Sequence, residues 1–203
     1  MSAETEVREK VEALFEYLTR EEHGDYLGES ISQLEHSLQA AMLAADSGAD
    51  EDTILGALLH DIGQFIPTTS LSKKQAPDIL SPSGAFVGRG SHDEFGEAYL
   101  RDFGFSEKVC QLVGGHVIAK RYLTGVDESY FDALSEASKI TLKHQGGPMS
   151  TDEVAKANQD PWIKQKVQVR IWDDLAKNPD VKAPPITKYI DMAVRNVLAT
   201  KHS

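Results

Sequence analysis

Cysteine is nearly missing from this chain: Cys110 is the single one among 203 residues, so no internal disulfide can form. No apolar run approaches the ~20 residues that span a bilayer. Basic residues are also short, 21 Lys+Arg against 32 Asp+Glu, and the net charge of −11 repels a polyphosphate backbone or an anionic membrane. Neither nucleic acid nor membrane is expected as a partner. The first residues are acidic and amphipathic, without the basic stretch and apolar run of an export signal. These absences point to a reducing, cytoplasmic setting. Sustained period-two alternation, internal repeats and low-complexity tracts are absent too, which leaves little room for a sheet. The length suffices to bury one core, and a single domain over residues 1–203 is expected.

What is present is helical periodicity. Val7, Val11, Leu14, Phe15 and Leu18 mark one apolar face. Residues 22–29 interrupt the period with two glycines and read as a loop. Ile31, Leu34, Leu38, Met42 and Ala45 mark a second helix that stops at Gly48. Asp50 caps a third, which runs through Ala57 to the adjacent pair His60-Asp61. Residues 67–90 hold three prolines and three glycines without a period, so a long loop is expected there. Ser91 and Glu94 have capping-box spacing at the start of a helix with His92 in its first turn. Val109, Leu112, Val113, His116 and Lys120 follow along one helical face. Leu134, Ser138, Thr141 and Gln145 recur at the same spacing although three of the four are polar. Ser150 and Glu153 repeat the capping box, Val167, Ile171 and Leu175 mark an apolar face between 164 and 176, and a last helix runs from Thr187 to Thr200. The fold class is all-α, a compact bundle of roughly seven to nine helices.

Four of the seven histidines are candidate ligands on these helices: His36, His60, His92 and His116. Asp61 follows His60 directly, and Asp173 lies far downstream. Imidazole nitrogen and carboxylate oxygen suit borderline transition metals, and a carboxylate with two oxygens can bridge two ions. Singly, each histidine reads as an ordinary packed or solvated residue. As a set, four imidazoles and two carboxylates suffice for a dinuclear centre bridged by Asp61, and iron accepts such a mixed set.

The order His, then His-Asp, then a distant Asp resembles the HD-domain superfamily of helical metalloproteins. Longer runs narrow the resemblance. Tyr26-Leu27-Gly28-Glu29, Ser32-Gln33-Leu34-Glu35-His36, Ala57-Leu58-Leu59-His60-Asp61, Gly115-His116-Val117, Ala119-Lys120-Arg121-Tyr122-Leu123, Gln145-Gly146-Gly147-Pro148-Met149 and Trp172-Asp173 are similar to the mixed-valence di-iron oxygenases that cleave the carbon–phosphorus bond of 1-hydroxy-2-aminoethylphosphonates, relatives of myo-inositol oxygenase. The likeness extends from about Tyr26 to Asp173. It implies that His36, His60 and Asp173 hold one iron, that His92 and His116 hold the other, and that Asp61 bridges them. Tyr26 would ligate the second iron without substrate, and Glu29 would turn in toward the substrate ammonium once Tyr26 leaves. Lys120, Ser138, Thr141, Gln145 and Arg170 would grip the phosphonate, the two cations through charge-assisted hydrogen bonds. The implied cofactors are two Fe ions, mixed-valent Fe(II)/Fe(III), with O2 as co-substrate. The implied partner is a small organophosphonate supplied by an upstream hydroxylase.

By the same resemblance the substrate would meet the second iron through its C1 hydroxyl and a phosphonate oxygen, and oxidation at C1 would release phosphate. One departure bears on the head group. Three residues after Asp61, where glycine-forming members carry a His, this chain has Gln64. A neutral amide suits an N-methylated head group that has no N–H to offer, and ring faces and carboxylate charge read a quaternary ammonium. The trimethylammonio substrate, giving glycine betaine, is therefore expected ahead of the primary amine, giving glycine. An HD-type phosphohydrolase needs only the metal ligands and leaves Tyr26, Glu29 and the polar stripe without a task. A non-catalytic binding protein on the same scaffold leaves the ligand set unexplained. The sequence does not fix the oligomeric state.

Overall fold

Helix α3 (Glu51–Leu59) is the axis of the bundle, with every side chain from Thr53 to Leu59 buried. Asp50 caps its first turn, Oδ1 accepting the Thr53 N–H at 3.0 Å. A helix apolar on all sides has to be enclosed. Its neighbours are α2 (Gln33–Asp46), α6 (Glu107–Gly114), α11 (Ile163–Leu175) and α12 (Ile190–Thr200). Helix α1 (Ala3–Leu18) lies along α12 and sends Val7, Val11, Leu14 and Phe15 into the same core. This fold is a computed structural model that describes residues 2–20, 31–67, 78–84 and 86–201. The loop with Tyr26 and Glu29 lies outside the described residues. No helix among those described is long and apolar enough to cross a membrane.

The all-α reading matches the architecture, although the helical segments outnumber the seven to nine expected. The excess comes from breaks in the helical face read along Val109, Leu112, Val113, His116 and Lys120. It is split between α6 and α7 (His116–Val126), because the chain resets at Gly115. A Cβ on Gly115 would sit 2.4 Å from the Lys166 stem, so α11 approaches the backbone there. A short α4 (Ile62–Phe65) likewise restarts after the His60-Asp61 turn, and α8 (Glu128–Ala133) fills a stretch without a sequence signal. A 3-10 turn at Ile186–Tyr189 precedes α12, so the last helix begins later than Thr187.

Three local expectations fail for visible reasons. The 67–90 stretch is not loop throughout: β1 (Ile79–Leu80) pairs antiparallel with β2 (Phe86–Gly88), with an irregular register between Ile79 and Leu80. Two strands this short carry no readable period. Ser91 does not cap α5 (His92–Phe103): it adopts a left-handed conformation, φ 53°, and its side chain makes no cap bond. The chain turns there instead to point His92 inward. On α11 the buried face is not Val167, Ile171 and Leu175, of which Leu175 is 62% exposed. It is Ile163, Lys166, Val169, Arg170, Trp172 and Asp173, so a helix turns its charged face to the core. Capping boxes do form at Ser150–Glu153, opening α10 (Thr151–Ala157), and at Ser32–Glu35, ahead of His36.

Candidate metal centre and anion pocket

Six side chains from four helices and one turn converge as two clusters, His36 with His60 and Asp173, and Asp61 with His92 and His116. In the first, His36 Nε2 lies 3.0 Å from Asp173 Oδ1 and 3.1 Å from His60 Nε2. Each ring is oriented from behind. A carbonyl can only accept, so His36 Nδ1–H donates to Ala176 O and His60 Nδ1–H to Ala57 O, both at 2.8 Å. His92 Nδ1–H donates likewise to Arg89 O at 3.0 Å. That leaves the Nε2 lone pairs aimed inward. His92 Nε2 and His116 Nδ1 are buried and make no hydrogen bond among the described residues.

Asp61 lies between the clusters. Its Oδ1 is 3.4 Å from His92 Nε2 and its Oδ2 is 3.6 Å from His60 Nε2. Burial opposes the charge on Asp61, but His60, His92 and His116 outweigh it and bring the carboxyl down to about 2. Burial likewise works against a charged His60, yet Asp61 and Asp173 lift it to about 9. Burial, reinforced by the Arg170 charge, keeps His116 neutral well below the usual imidazole range. Buried imidazole nitrogens that converge on carboxylates are the donor set a pair of transition-metal ions requires, and a cation would satisfy them. These residues fit such a group.

Among the described residues, the second cluster is the one that lines a pocket. Asp61, His92 and His116 form one wall, and Lys120, Ser138, Thr141, Gln145 and Arg170 face it. The polar stripe predicted near Gln145 lies on α9 (Glu136–His144) and its end, turned to this pocket rather than to solvent. Lys120 is 3% exposed and donates to Thr141 Oγ1 at 2.8 Å. Burial, with the Arg170 charge adding to it, pulls its ammonium down to about 7. Arg170, also 3% exposed, places Nη1 2.8 Å from Asp173 Oδ2 and 3.2 Å from His116 Nε2. Its Nε donates to Tyr130 Oη at 3.0 Å and to Asp174 Oδ2 at 3.1 Å. Asp174 also accepts from the Tyr130 hydroxyl. Gln64 reaches the pocket from α4, its Oε1 accepting the Arg89 N–H at 3.1 Å.

The HD-domain family pattern matches residues 34–178. The chain belongs to the HD-domain family. It is 39% identical over 173 residues, 85% of this chain and 83% of the relative, to the (1-hydroxy-2-(trimethylamino)ethyl)phosphonate dioxygenase (glycine-betaine-forming) of Leisingera caerulea. It is 38% identical over 183 residues, 89% of this chain and 85% of the relative, to the hydroxymethylphosphonate dioxygenase of Gimesia maris. An uncharacterised protein of Acanthamoeba polyphaga mimivirus is 35% identical over 170 residues, 84% of this chain and 74% of that one.

In this HD-domain protein the pair His60-Asp61 sits where α3 ends and α4 has not begun. A continuous helix would separate the two side chains by about 100°; the break lets both face the clusters. Sequence reasoning missed Arg89, which lines the pocket, and Tyr130 and Asp174, which hold the Arg170 guanidinium. Tyr130 carried no signal, Asp174 was visible only as a charge near Arg170, and Arg89 stood as a lone cation in the run Gly88-Arg89-Gly90 just before His92. In an acidic chain that isolated cation was the available clue.

Proposed function

We propose that residues 1–203 act as one unit, a di-iron oxygenase that uses O2 to cleave the C–P bond of (1-hydroxy-2-(trimethylammonio)ethyl)phosphonate, giving glycine betaine and phosphate. The observation that carries this reading is Asp61, one oxygen toward each cluster, with the second cluster lining a cationic pocket. Two iron ions supply, when bound, the redox capacity to reduce O2 and a Lewis-acidic point of attachment for substrate. His36, His60 and Asp173 would hold the enclosed ion, His92 and His116 the open one, with Tyr26 beside it before substrate arrives, and Asp61 both.

The remaining side chains bind and orient. Lys120 and Arg170 neutralise the phosphonate dianion while Ser138, Thr141 and Gln145 take its other oxygens, so the C1–H and C1–OH are turned toward Asp61, His92 and His116. Glu29 and Gln64 take the head-group end. Removal of one C–H and one C–P bond, with one O2 per substrate, balances to a carboxylate and inorganic phosphate. The names of the two dioxygenase relatives support the reaction class. They differ in the head group, present in one substrate name and missing from the other.

The test is phosphate release under air and under nitrogen from three compounds, the trimethylammonio, primary-amine and hydroxymethyl phosphonates, with iron counted in the same preparation. The expected result is O2-dependent release, fastest with the trimethylammonio compound. Equal release without O2, supported by Mg²⁺ or Mn²⁺, would make the protein a phosphohydrolase. A strong preference for another compound would leave the reaction class standing and overturn the head group.

A further inference from the structure

We propose that Arg89 is a positioning residue that sets both the open metal cluster and the orientation of Gln64. Three polar groups of this one residue make four hydrogen bonds. Its guanidinium Nη1 donates to Gly63 O at 2.8 Å and to Ile66 O at 2.6 Å, fastening the end of the hairpin onto α4. Its backbone N–H donates to Gln64 Oε1 at 3.1 Å. Its backbone carbonyl accepts from His92 Nδ1–H at 3.0 Å.

The consequences differ along the three directions. The carbonyl bond leaves His92 Nε2 as the free nitrogen, 3.4 Å from Asp61 Oδ1. The N–H bond engages the Gln64 oxygen, which leaves the amide NH2 as the end that can turn to the pocket. The guanidinium satisfies carbonyls at the C-terminal end of a four-residue helix, where a cation is favourable. Arg89 Nη1 is committed to those two carbonyls.

The surroundings explain why such an anchor is needed. A Cβ on Gly63 would lie 1.8 Å from His92 O, so α4 and the first turn of α5 touch backbone to backbone. Ser91, between Arg89 and His92, holds a left-handed conformation that a non-glycine residue adopts only when its neighbours constrain it. The enclosed cluster has no such dependence, because its two histidines lean on Ala176 and Ala57. Arg89 therefore controls one ion and one substrate contact while leaving the other ion alone.

The metal half rests on the two-cluster reading alone, and the Gln64 half on the proposed substrate; the experiment keeps them apart. Full-length wild type, Arg89→Met and Arg89→Lys are stripped of metal and titrated anaerobically with Fe(II), and bound iron is counted without substrate. Arg89→Met keeps the stem and loses both carbonyl bonds. Its expected signature is an enclosed ion bound as in wild type and an open ion weakened ~10- to 100-fold, with partial recovery in Arg89→Lys. In turnover, the ratio of kcat/KM between trimethylammonio and hydroxymethyl phosphonates should shift in Arg89→Met, and Gln64→Ala should add nothing further in that background. Wild-type binding of both ions in Arg89→Met overturns the metal half. Loss of both ions together, or failure of both variants to fold, assigns Arg89 to the scaffold and overturns the proposal. Additive effects of Gln64→Ala overturn the selectivity half even where the iron result stands, and a protein inactive on phosphonates leaves the iron result decisive by itself.

Discussion

His36 and His60 face each other Nε2 to Nε2 at 3.1 Å, each with its Nδ1 turned to a backbone carbonyl. Two lone pairs directed at one point repel unless a cation or a proton stands between them, and Asp173 Oδ1, 3.0 Å from His36 Nε2, adds a negative charge. Metal binding should therefore be part of the folding free energy. Removing metal with a chelator should lower Tm, and restoring Fe(II) at ~100 times its Kd should recover ~2.7 kcal/mol. Calorimetric melts of stripped and reloaded protein measure it. An unchanged Tm would mean that the cluster is satisfied without an ion.

Asp61 and Arg170 separate metal binding from substrate binding. Asp61→Ala removes the carboxylate lying between His92 and His60, so paired occupancy should be lost. Arg170→Ala leaves all six ligand side chains in place and should weaken phosphonate binding ~10- to 100-fold, the worth of a charge-assisted hydrogen bond. Iron counting together with KM resolves the two. Equal loss of metal in both variants would show that Arg170, 2.8 Å from Asp173, serves the metal site first.

The candidate ligands were legible in the sequence because histidine is scarce and three more of them accompany the His60-Asp61 pair on apolar-faced helices, while their division between two ions came from the family resemblance. The helical class followed from periodicity. Where the reading failed, tertiary contacts decide. Gly115 breaks a face that spacing alone would continue, since the Lys166 stem occupies the position a side chain would need. The buried face of α11 was misassigned because the spacing was followed through apolar residues alone, whereas Lys166 is buried with partners that the spacing does not show, its Nζ finding Asp160 at 2.6 Å and Gln111 at 3.1 Å. Arg89 acts on backbone carbonyls, which every residue has, so the sequence marked it only as an isolated cation between two glycines and could not name its partners.

Tyr130 and Asp174 fix the direction of the Arg170 guanidinium, Tyr130 Oη accepting from Nε at 3.0 Å. Neither is among the groups proposed to hold metal. Tyr130→Phe removes one hydrogen bond and should raise the phosphonate KM a few-fold, in line with ~0.5–1.5 kcal/mol. Asp174→Asn removes a charge and should raise it further, with kcat and iron content close to wild type in both. A fall in kcat at constant KM would instead assign the pair to the reacting centre.

Lys120 ties binding to pH. Burial and the Arg170 charge hold its ammonium near 7, about 7 against roughly 10.4 for an unfolded lysine. Between those values the unfolded chain carries a proton that the folded protein lacks, so Lys120 adds stability as pH rises through that window and withdraws it toward pH 7 and below. Replacing it by Met should make the ligand-free protein more stable at pH 6 and flatten the rise between about 7 and 10. A phosphonate dianion needs the charged form. Its binding should take up a proton above pH 7, visible as a buffer-dependent binding enthalpy, and Lys120→Met should bind it ~10- to 100-fold more weakly without that uptake. Buffer-independent enthalpy at pH 8 in the wild type would show that the amine is already charged in the empty pocket, and that Arg170 rather than Lys120 carries the electrostatic part of the grip.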